Sequence, residues 1–232
     1  MKFFSRMREN RSSQPGSEER VLVLATGNPD KVKELDDLLA GKGWKVRSLE
    51  EVAGNVDIEE TGETLEENAE IKARFVHEVT GLPAIADDTG LEVVALDGRP
   101  GVRSARYAGP ASDARKNRIK LLDDLRLVAD PTRRTARFRT VLVYIGPEET
   151  GMNIPAADGT DQNTSMRVGL RRYEGVCEGT IITEERGSGG FGYDPLFVPE
   201  GYDQTFAEMD AAEKNRISHR GRALQKFLDD MS

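Results

Sequence analysis

Residues 21–39 read Val21-Leu22-Val23-Leu24-Ala25, then Thr26-Gly27-Asn28-Pro29-Asp30-Lys31, then Val32-Lys33-Glu34-Leu35-Asp36-Asp37-Leu38-Leu39. The first run is continuously apolar, which is typical of a strand buried on both faces. The last run repeats its apolar residues at helical spacing. The sequence therefore begins with a strand, a polar turn and a helix, which is the opening of an α/β fold.

Strands and helices continue to alternate after this opening. Strands are predicted at Trp44–Leu49, Leu91–Leu96, Ala136–Ile145 and Gly175–Thr183, and helices at 64–81, Asn117–Leu127, Ala211–Ile217 and Arg222–Met231. The second helix begins with the capping box Thr64-Leu65-Glu66-Glu67 and ends at Gly81. This order predicts an α/β protein with a mixed rather than purely parallel sheet.

Two segments stand outside this pattern. Residues 1–20 carry arginines and serines without a secretory apolar core, and we interpret them as a flexible tail. Residues 147–172 are rich in Gly, Pro, Asn, Asp and Thr and are too long for a hairpin turn, so we expect a surface excursion. Residues 21–232 are then expected to form one domain.

The composition limits the classes of function. The chain has 232 residues and a net charge of −8, and no apolar run is as long as a membrane span. A general binder of nucleic acid or of a lipid surface is therefore not expected. A lone cysteine, Cys177, excludes an internal disulfide and fits a reducing compartment such as the cytoplasm.

The segment Pro83-Ala84-Ile85-Ala86-Asp87-Asp88-Thr89-Gly90-Leu91 places two acids where a short apolar run is expected to break into a turn. Two neighbouring carboxylates in a low-dielectric site couple unless a cation is present, and a divalent metal supplies that cation. Because successive side chains of a strand alternate between faces, we expect only one of the two to point into a site. The alternative is that both are turn residues before Gly90.

Two further polar segments could share a phosphate and a metal. Thr26–Lys31 joins a buried strand to a helix N-terminus, where free N–H groups and the helix dipole favour an anion and Lys31 adds a charge. Glu59-Glu60-Thr61-Gly62 could join the Asp pair around one Mg²⁺, which binds one or two carboxylates and shares phosphate oxygens. The alternatives are that the first segment is an ordinary turn and that the acids of the second are solvated residues near a helix start.

The segment Gly187-Ser188-Gly189-Gly190-Phe191-Gly192-Tyr193-Asp194-Pro195 is suited to a flat ring. Its glycines let the backbone approach a ligand, and Phe191 or Tyr193 offers a face for stacking a base. The alternative is a glycine turn with its aromatic rings in the core. Lys214 and Ser218-His219-Arg220-Gly221 add donors near the last helices, whereas His77 is interpreted as structural.

Together these segments resemble the inosine triphosphate pyrophosphatase family, hydrolases of non-standard purine nucleoside triphosphates. The resemblance rests on motifs in order along the chain, which are Thr26-Gly27-Asn28 with Lys31, Glu59-Glu60-Thr61-Gly62, Asp87-Asp88-Thr89-Gly90, Pro100-Gly101 with Ser104-Ala105-Arg106-Tyr107, Gly189-Gly190-Phe191-Gly192-Tyr193-Asp194-Pro195 and Ser218-His219-Arg220-Gly221. It implies a two-lobed α/β fold around a long mixed sheet with flanking helices, an active site in the cleft between the lobes, a homodimer, and Mg²⁺-dependent release of pyrophosphate and a nucleoside monophosphate.

The resemblance also implies roles for individual residues. Thr26, Gly27, Asn28, Pro29, Asp30 and Lys31 would hold the phosphates, Glu59 and Asp88 would bind Mg²⁺, and Phe191, Gly192, Tyr193, Asp194, Lys214, His219 and Arg220 would enclose the base and sugar. Asp88 would also accept the proton of the attacking water. Thr89 stands where the family usually has Ser and keeps the hydroxyl. A Maf-type pyrophosphatase of other modified nucleotides and a non-catalytic nucleotide sensor are the alternatives.

Overall fold

The computed structural model describes residues 20–26, 29–128, 130–147 and 168–231. Within these ranges the strands are β1 Arg20–Leu24, β2 Trp44–Ser48, β3 Ala84–Val93, β4 Pro100–Gly101, β5 Thr135–Pro147, β6 Val168–Ile181 and β7 Phe197–Pro199. The α-helices are α1 Pro29–Leu39, α2 Leu49–Ala53, α3 Leu65–Thr80, α4 Ala114–Asp124, α5 Ala211–Ile217 and α6 His219–Asp230. None of these helices has the length and hydropathy that crossing a membrane requires.

The strands form one mixed sheet in the order β2-β1-β3-β5-β6-β7, with the short β4 beside β3. Neighbours β2, β1 and β3 are parallel, whereas β3, β5, β6 and β7 pair antiparallel. Helices join the parallel strands, as a crossover between parallel strands requires. The predicted α/β class with a mixed sheet is confirmed.

Three long strands, β3, β5 and β6, run through two lobes. At one end of these strands, Leu91, Phe138 and Ile181 belong to a core that also includes residues of α4. At the other end the sheet is covered on both faces, and side chains alternate between two cores. Ile85, Leu142 and Tyr144 pack toward α1 and α6, whereas Ala86, Val141 and Val143 pack toward α3. The predicted two-lobed architecture is confirmed.

Helix α3 carries the termini that its sequence predicts. The Thr64 hydroxyl accepts from the Glu67 N–H at 3.1 Å, and the Glu67 carboxylate accepts from the Thr64 N–H at 3.2 Å. Gly81 ends the helix with φ 67°, a left-handed conformation that glycine adopts without a Cβ clash. The capping box is therefore confirmed.

The predicted turn at Asp87 and Asp88 is wrong, because both residues lie inside β3. All ten residues of β3 pair with β5, and Asp87 and Asp88 stand opposite Leu142 and Val141. This continuous ladder with β5 keeps the backbone extended through both acids, so they do not mark a turn. The expected strand at Leu91–Leu96 ends at Val93, and Val94–Leu96 forms a 3₁₀ helix.

The excursion is shorter than the sequence suggested. Strands β5 and β6 pair as far as Pro147 opposite Val168, so residues 168–172 belong to β6 rather than to a loop. Arg171 is fixed there by the Asp230 carboxylate at 2.9 Å, and Arg172 pairs with Glu70. Cross-strand pairing and these ion pairs hold a segment whose apolar pattern is weak. Residues 1–19 and 148–167 lie outside the described residues.

Candidate active site

A cavity of about 1030 Å³ lies between the two lobes. Ten of the residues predicted from the sequence line it, and these are Lys31, Asp88, Thr89, Phe191, Gly192, Tyr193, Asp194, Lys214, His219 and Arg220. Residues far apart in the chain therefore meet at one site, in the cleft where the predicted active site was expected.

The sheet itself opens toward this cavity. Strand β1 pairs with β3 only as far as Ile85, and β4 pairs with β3 only from Leu91 onward. Within the described residues, Ala86–Gly90 has no strand neighbour on that side, so the cavity reaches both faces of β3. Asp87 and Asp88 point to opposite faces as predicted, but both line the cavity, and the expectation that only one does so is wrong.

Asp87 is buried against two cations on one face of the sheet. Lys31 Nζ, from α1, lies 3.2 Å from each carboxylate oxygen. Arg220, from α6, donates to Oδ2 through Nε at 3.2 Å and Nη2 at 3.0 Å. Burial alone would raise the pKa of Asp87, but Lys31 and Arg220 hold that pKa far below its usual range. Asp87 is therefore an ionised link between two helices.

Asp88 lies on the other face, against α3. Lys72 Nζ donates to Asp88 Oδ1 at 2.9 Å and to the main-chain oxygen of Asp87 at 2.8 Å. The Asn68 amide lies 3.5 Å from Asp88 Oδ2. Burial raises the pKa of Asp88 even though Lys72 opposes the shift, and nearby Glu60 and Asp87 add to it. The two adjacent acids therefore have pKa shifts of opposite sign, and Asp88 is the one whose environment favours taking up a proton.

Glu60 joins this group through the same lysine. Lys72 Nζ donates to Glu60 Oε1 at 3.1 Å, and Arg106 lies 3.3 Å from Glu60 Oε2. Glu60 lines the cavity, whereas Glu59, the ligand predicted from the sequence, is exposed and outside the lining.

The donor set near Asp88 fits a cation that is shared with a phosphate. Asp88 and Glu60 contact one ammonium group, so their carboxylates are close enough to approach one ion. No group of three or more His, Cys, Asp or Glu side chains in the described ranges is arranged to hold a metal. Mg²⁺ typically takes one or two protein carboxylates and completes its shell with water and phosphate oxygens, which matches this set.

The glycine-rich loop is folded around Asp194. The Asp194 carboxylate accepts from the Phe191 N–H at 2.7 Å and from Lys214 Nζ at 2.6 Å. Gly190 has φ 69°, and a Cβ there would lie 2.1 Å from Asp194 Oδ2. Only glycine allows this approach. Asp194 therefore points inward and fixes the loop and Lys214 together.

The two aromatic residues of the loop have different environments. Phe191 is 52% exposed, with Lys214 Nζ 4.9 Å and the Arg220 guanidinium 5.4 Å from its ring centroid. Tyr193 is 4% exposed, packs in the core and donates to the Ser104 carbonyl at 2.8 Å. Phe191 is thus the aromatic face open to a ligand, and Tyr193 mainly supports the loop.

The start of α6 lines the cavity and packs closely against β6 at Gly175. A Cβ on Gly175 would lie 1.9 Å from the His219 carbonyl oxygen, so a glycine is needed where the helix meets the strand. Ser218 caps the helix by accepting from the Gly221 N–H at 3.1 Å. The other N–H groups of a first helical turn have no acceptor within the helix. The Ser218 N–H donates to the Lys214 carbonyl at 2.8 Å, so the main-chain N–H groups that the helix start presents at the cavity wall are those of His219 and Arg220.

His219 is buried and stacked on Phe138, with ring centroids 4.6 Å apart. Its Nδ1 is buried and has no hydrogen-bond partner in the described part of the chain. Burial, together with the charges of Arg220 and Lys214, lowers the pKa of His219 well below its usual range. The imidazole is therefore neutral near pH 7, with one donor and one acceptor nitrogen.

The predicted phosphate turn is described only in part. Thr26 follows β1, and Pro29 and Asp30 form the first residues of α1, but Gly27, Asn28 and the side chains of Pro29 and Asp30 lie outside the described residues. Lys31 lines the cavity and contacts Asp87 there. Thr89 lies beside Thr140, with 2.7 Å between the two hydroxyl oxygens, and lines the cavity.

Sequence reasoning missed Asn68 and Lys72, and it took Asp87 for a turn residue. Asn68 and Lys72 are buried on α3, one helical turn apart. Asn68 accepts from the Gly62 N–H at 2.8 Å, so it also anchors the Glu59–Gly62 segment. Both polar residues stand within the apolar stripe of Ala69, Ala73 and Val76, and that interruption was the available signal.

Comparison with known proteins finds relatives that match nearly the whole chain. The sequence model of the Ham1 family matches residues 22–230. A dITP/XTP pyrophosphatase of Porphyromonas gingivalis is 47% identical over 208 residues, covering 90% of this chain and 95% of that protein. One from Thermus thermophilus is 48% identical over 209 residues, covering 90% of each protein.

Solved structures give the same result. A HAM1 protein from Coxiella burnetii superposes with a TM-score of 0.76 at 39% identity, covering 91% of this chain and 98% of that one. A nucleoside-triphosphatase, dITP/XTP pyrophosphatase, from Mycobacterium abscessus gives 0.66 at 38% identity, with coverages of 90% and 98%. The family resemblance seen in the motifs is confirmed, and the chain belongs to the Ham1 family.

Proposed function

We propose that this protein hydrolyses non-standard purine nucleoside triphosphates, such as ITP, dITP and XTP, to the nucleoside monophosphate and pyrophosphate. One observation carries the proposal: a single cavity joins two adjacent carboxylates and their lysines to an exposed phenylalanine on a glycine-rich loop. The first group suits a triphosphate and an attacking water, and the second suits a base. Relatives at 47% and 48% identity are named dITP/XTP pyrophosphatases, which supports the same activity.

The phosphates are expected to bind near Lys31, Lys33 and Lys72, which line the cavity. The chain carries a net charge of −8, so a triphosphate needs cations gathered locally. The N-terminus of α1, which follows Thr26, adds main-chain donors and the positive end of a helix dipole. We therefore retain the Thr26–Lys31 turn as the proposed phosphate cradle.

Asp88 is the proposed proton acceptor. Its raised pKa moves it toward the operating pH, where a general base is most effective. A water held at this carboxylate attacks the α-phosphorus while its proton passes to Asp88. The bond to the bridging oxygen breaks, and pyrophosphate leaves. Lys72 contacts Asp88 and fixes its orientation.

Mg²⁺ is proposed as the cofactor, with Asp88 and Glu60 or Glu59 as its protein ligands. The structure favours Glu60, since Glu60 shares Lys72 with Asp88. When bound, the ion would neutralise charge on the phosphate oxygens. Lys72 contacts both carboxylates and so holds them close to each other.

Base selection is proposed to occur between Phe191 and the start of α6. Hypoxanthine and xanthine carry a carbonyl oxygen at position 6, and the main-chain N–H groups at the start of α6, with Arg220 and neutral His219, would donate to it. Adenine presents an amino donor at this position, which would leave those donors unpaired. A site built for one hydrogen-bonding group can reject an analogue by up to about 10⁴ to 10⁵-fold.

The alternatives have less support. A Maf-type pyrophosphatase is not favoured by relatives that are named dITP/XTP pyrophosphatases. A non-catalytic sensor would have no need of a carboxylate whose pKa is raised beside a lysine. The homodimer and the cytoplasmic location follow from the family resemblance and the single cysteine, and they stay predictions.

The test is a panel of ITP, XTP, GTP and ATP with Mg²⁺, with kcat/KM measured for each by pyrophosphate release. We expect ITP and XTP to be cleaved far faster than ATP. Comparable values for ITP and ATP would refute the base-selection proposal and leave the phosphate chemistry standing. No pyrophosphate from any member of the panel would refute the function itself.

A further inference from the structure

A partly buried arginine that is not among the cavity-lining residues donates a hydrogen bond to the glycine-rich loop. Arg118 lies on α4, and its side chain is only 16% exposed. Its Nη1 donates to the Gly192 carbonyl at 2.9 Å, and its Nε lies 2.8 Å from the Glu185 carboxylate. Arg118 is not among the residues that line the cavity, and its described contacts are with the Gly192 carbonyl and Glu185.

The loop needs such a support because of its composition. Gly190 and Gly192 have φ values of 69° and 59°, and Phe191 stands between them. Glycines lose more conformational freedom than other residues when they are ordered, so this segment is held by its contacts rather than by its own preference. On the cavity side, Asp194 accepts the Phe191 N–H. The main chain of the loop also bonds from the Gly189 N–H to the Ala207 carbonyl at 3.0 Å and from the Asp194 N–H to the Phe191 carbonyl at 3.1 Å. The Gly192 carbonyl is held by a side chain, that of Arg118.

We propose that Arg118 is a positioning residue for Phe191. By fixing the Gly192 carbonyl, it restricts the peptide between Gly192 and Tyr193, one residue beyond Phe191, and so keeps the ring in its place near Lys214 and Arg220. The proposal rests on the proposed function, in which Phe191 stacks on the purine base. The proposal gives α4, which packs in the lobe of Leu91, Phe138 and Ile181, a role in nucleotide affinity rather than in the chemical step.

The first test compares Arg118→Met with Arg115→Met, since Arg115 is an exposed residue of the same helix. Removing one hydrogen bond from a charged donor is expected to raise KM for ITP about tenfold or more. The value of kcat should stay within about twofold, because Asp88 and its partners are untouched. Arg118→Lys, which retains a cationic donor, should recover part of the loss. Arg115→Met should match the wild type.

A double-mutant cycle tests whether the effect passes through Phe191. In a Phe191→Ala background, Arg118→Met is expected to change KM no further, because the ring that it positions is gone. Additive effects of the two substitutions would overturn the proposal. So would an Arg118→Met enzyme whose KM equals that of Arg115→Met.

Hydrogen exchange of the peptide spanning residues 187–194 gives a readout that does not depend on turnover. Faster exchange in Arg118→Met than in Arg115→Met is expected, with the rest of the protein unchanged. Unchanged exchange would overturn the proposal even if ITP is the substrate. If the wild type cleaves no triphosphate, the proposed function fails, while the exchange result still decides whether Arg118 orders the loop. Should Arg118→Met not fold, Arg118→Gln, which also removes the charge, replaces it in the same comparison.

Discussion

Replacing Asp87 by Asn is expected to destabilise the protein far more than the same change at Asp88. The Asp87 carboxylate is nearly buried and contacts Lys31 and Arg220, whose side chains are 22% and 11% exposed. Asn keeps the shape of the side chain and removes its charge. The two cations would then stay close together in a buried site without their shared counter-charge.

The expected magnitude follows from that geometry. Removing one partner of a buried ion pair costs about 3 to 5 kcal/mol, because the remaining charge is left uncompensated. Asp88 differs, since burial raises its pKa and the fold already disfavours its charge. In Asp88→Asn, Lys72 also keeps Glu60 and the main-chain oxygen of Asp87 as acceptors. We therefore expect Asp88→Asn to cost at most about 1.5 kcal/mol.

The assay is urea unfolding at pH 7 without nucleotide or Mg²⁺, with the free energy of unfolding extrapolated to zero urea for both variants and the wild type. Equal slopes with respect to urea will show that the comparison concerns the same transition. A loss for Asp87→Asn that is no larger than the loss for Asp88→Asn would refute the account of Asp87 as the counter-charge of two helices.

Three further outcomes are expected. Asp88→Asn should lower kcat by about 10² to 10⁴ with its circular dichroism spectrum unchanged, as removal of a general base does, and near wild-type turnover would show that the role is misassigned. A short Gly-containing turn in place of residues 148–167 should leave ITP turnover intact, because β5 and β6 pair up to Pro147 and Val168, and a folded but inactive product would contradict this. His219 has a lowered pKa, so the unfolded chain binds its proton first and stability falls as the pH drops below about 6.5. In urea unfolding at pH 5, 6 and 7, His219→Gln should therefore reduce the slope of stability against pH by up to about 1.4 kcal/mol per pH unit, and an unchanged slope would be evidence against a buried neutral imidazole.

Local signals in the sequence were sufficient for the fold class and for several helix ends. The apolar run before Thr26 predicted a buried strand, and the capping box at Thr64 predicted the start of α3 to the residue. Such features depend on neighbours within a few positions, so a single sequence contains them.

The site required information that is not local. Asp87 and Asp88 were taken for a turn because two acids seldom occur inside a long strand, yet Lys31, Lys72 and Arg220 come from three different helices to balance them. Only the folded chain shows these partners. The same is true of Glu60, which contacts Lys72, and of Tyr193, whose neighbour Ser104 is 89 residues away.

The identity of the products of ITP cleavage tests the central claim most directly. Wild-type protein is incubated with ITP and Mg²⁺, and the products are separated by chromatography at partial conversion. The account predicts inosine monophosphate and pyrophosphate in equal amounts from the first time point, with no diphosphate intermediate. Inosine diphosphate with orthophosphate, released one phosphate at a time, would contradict it.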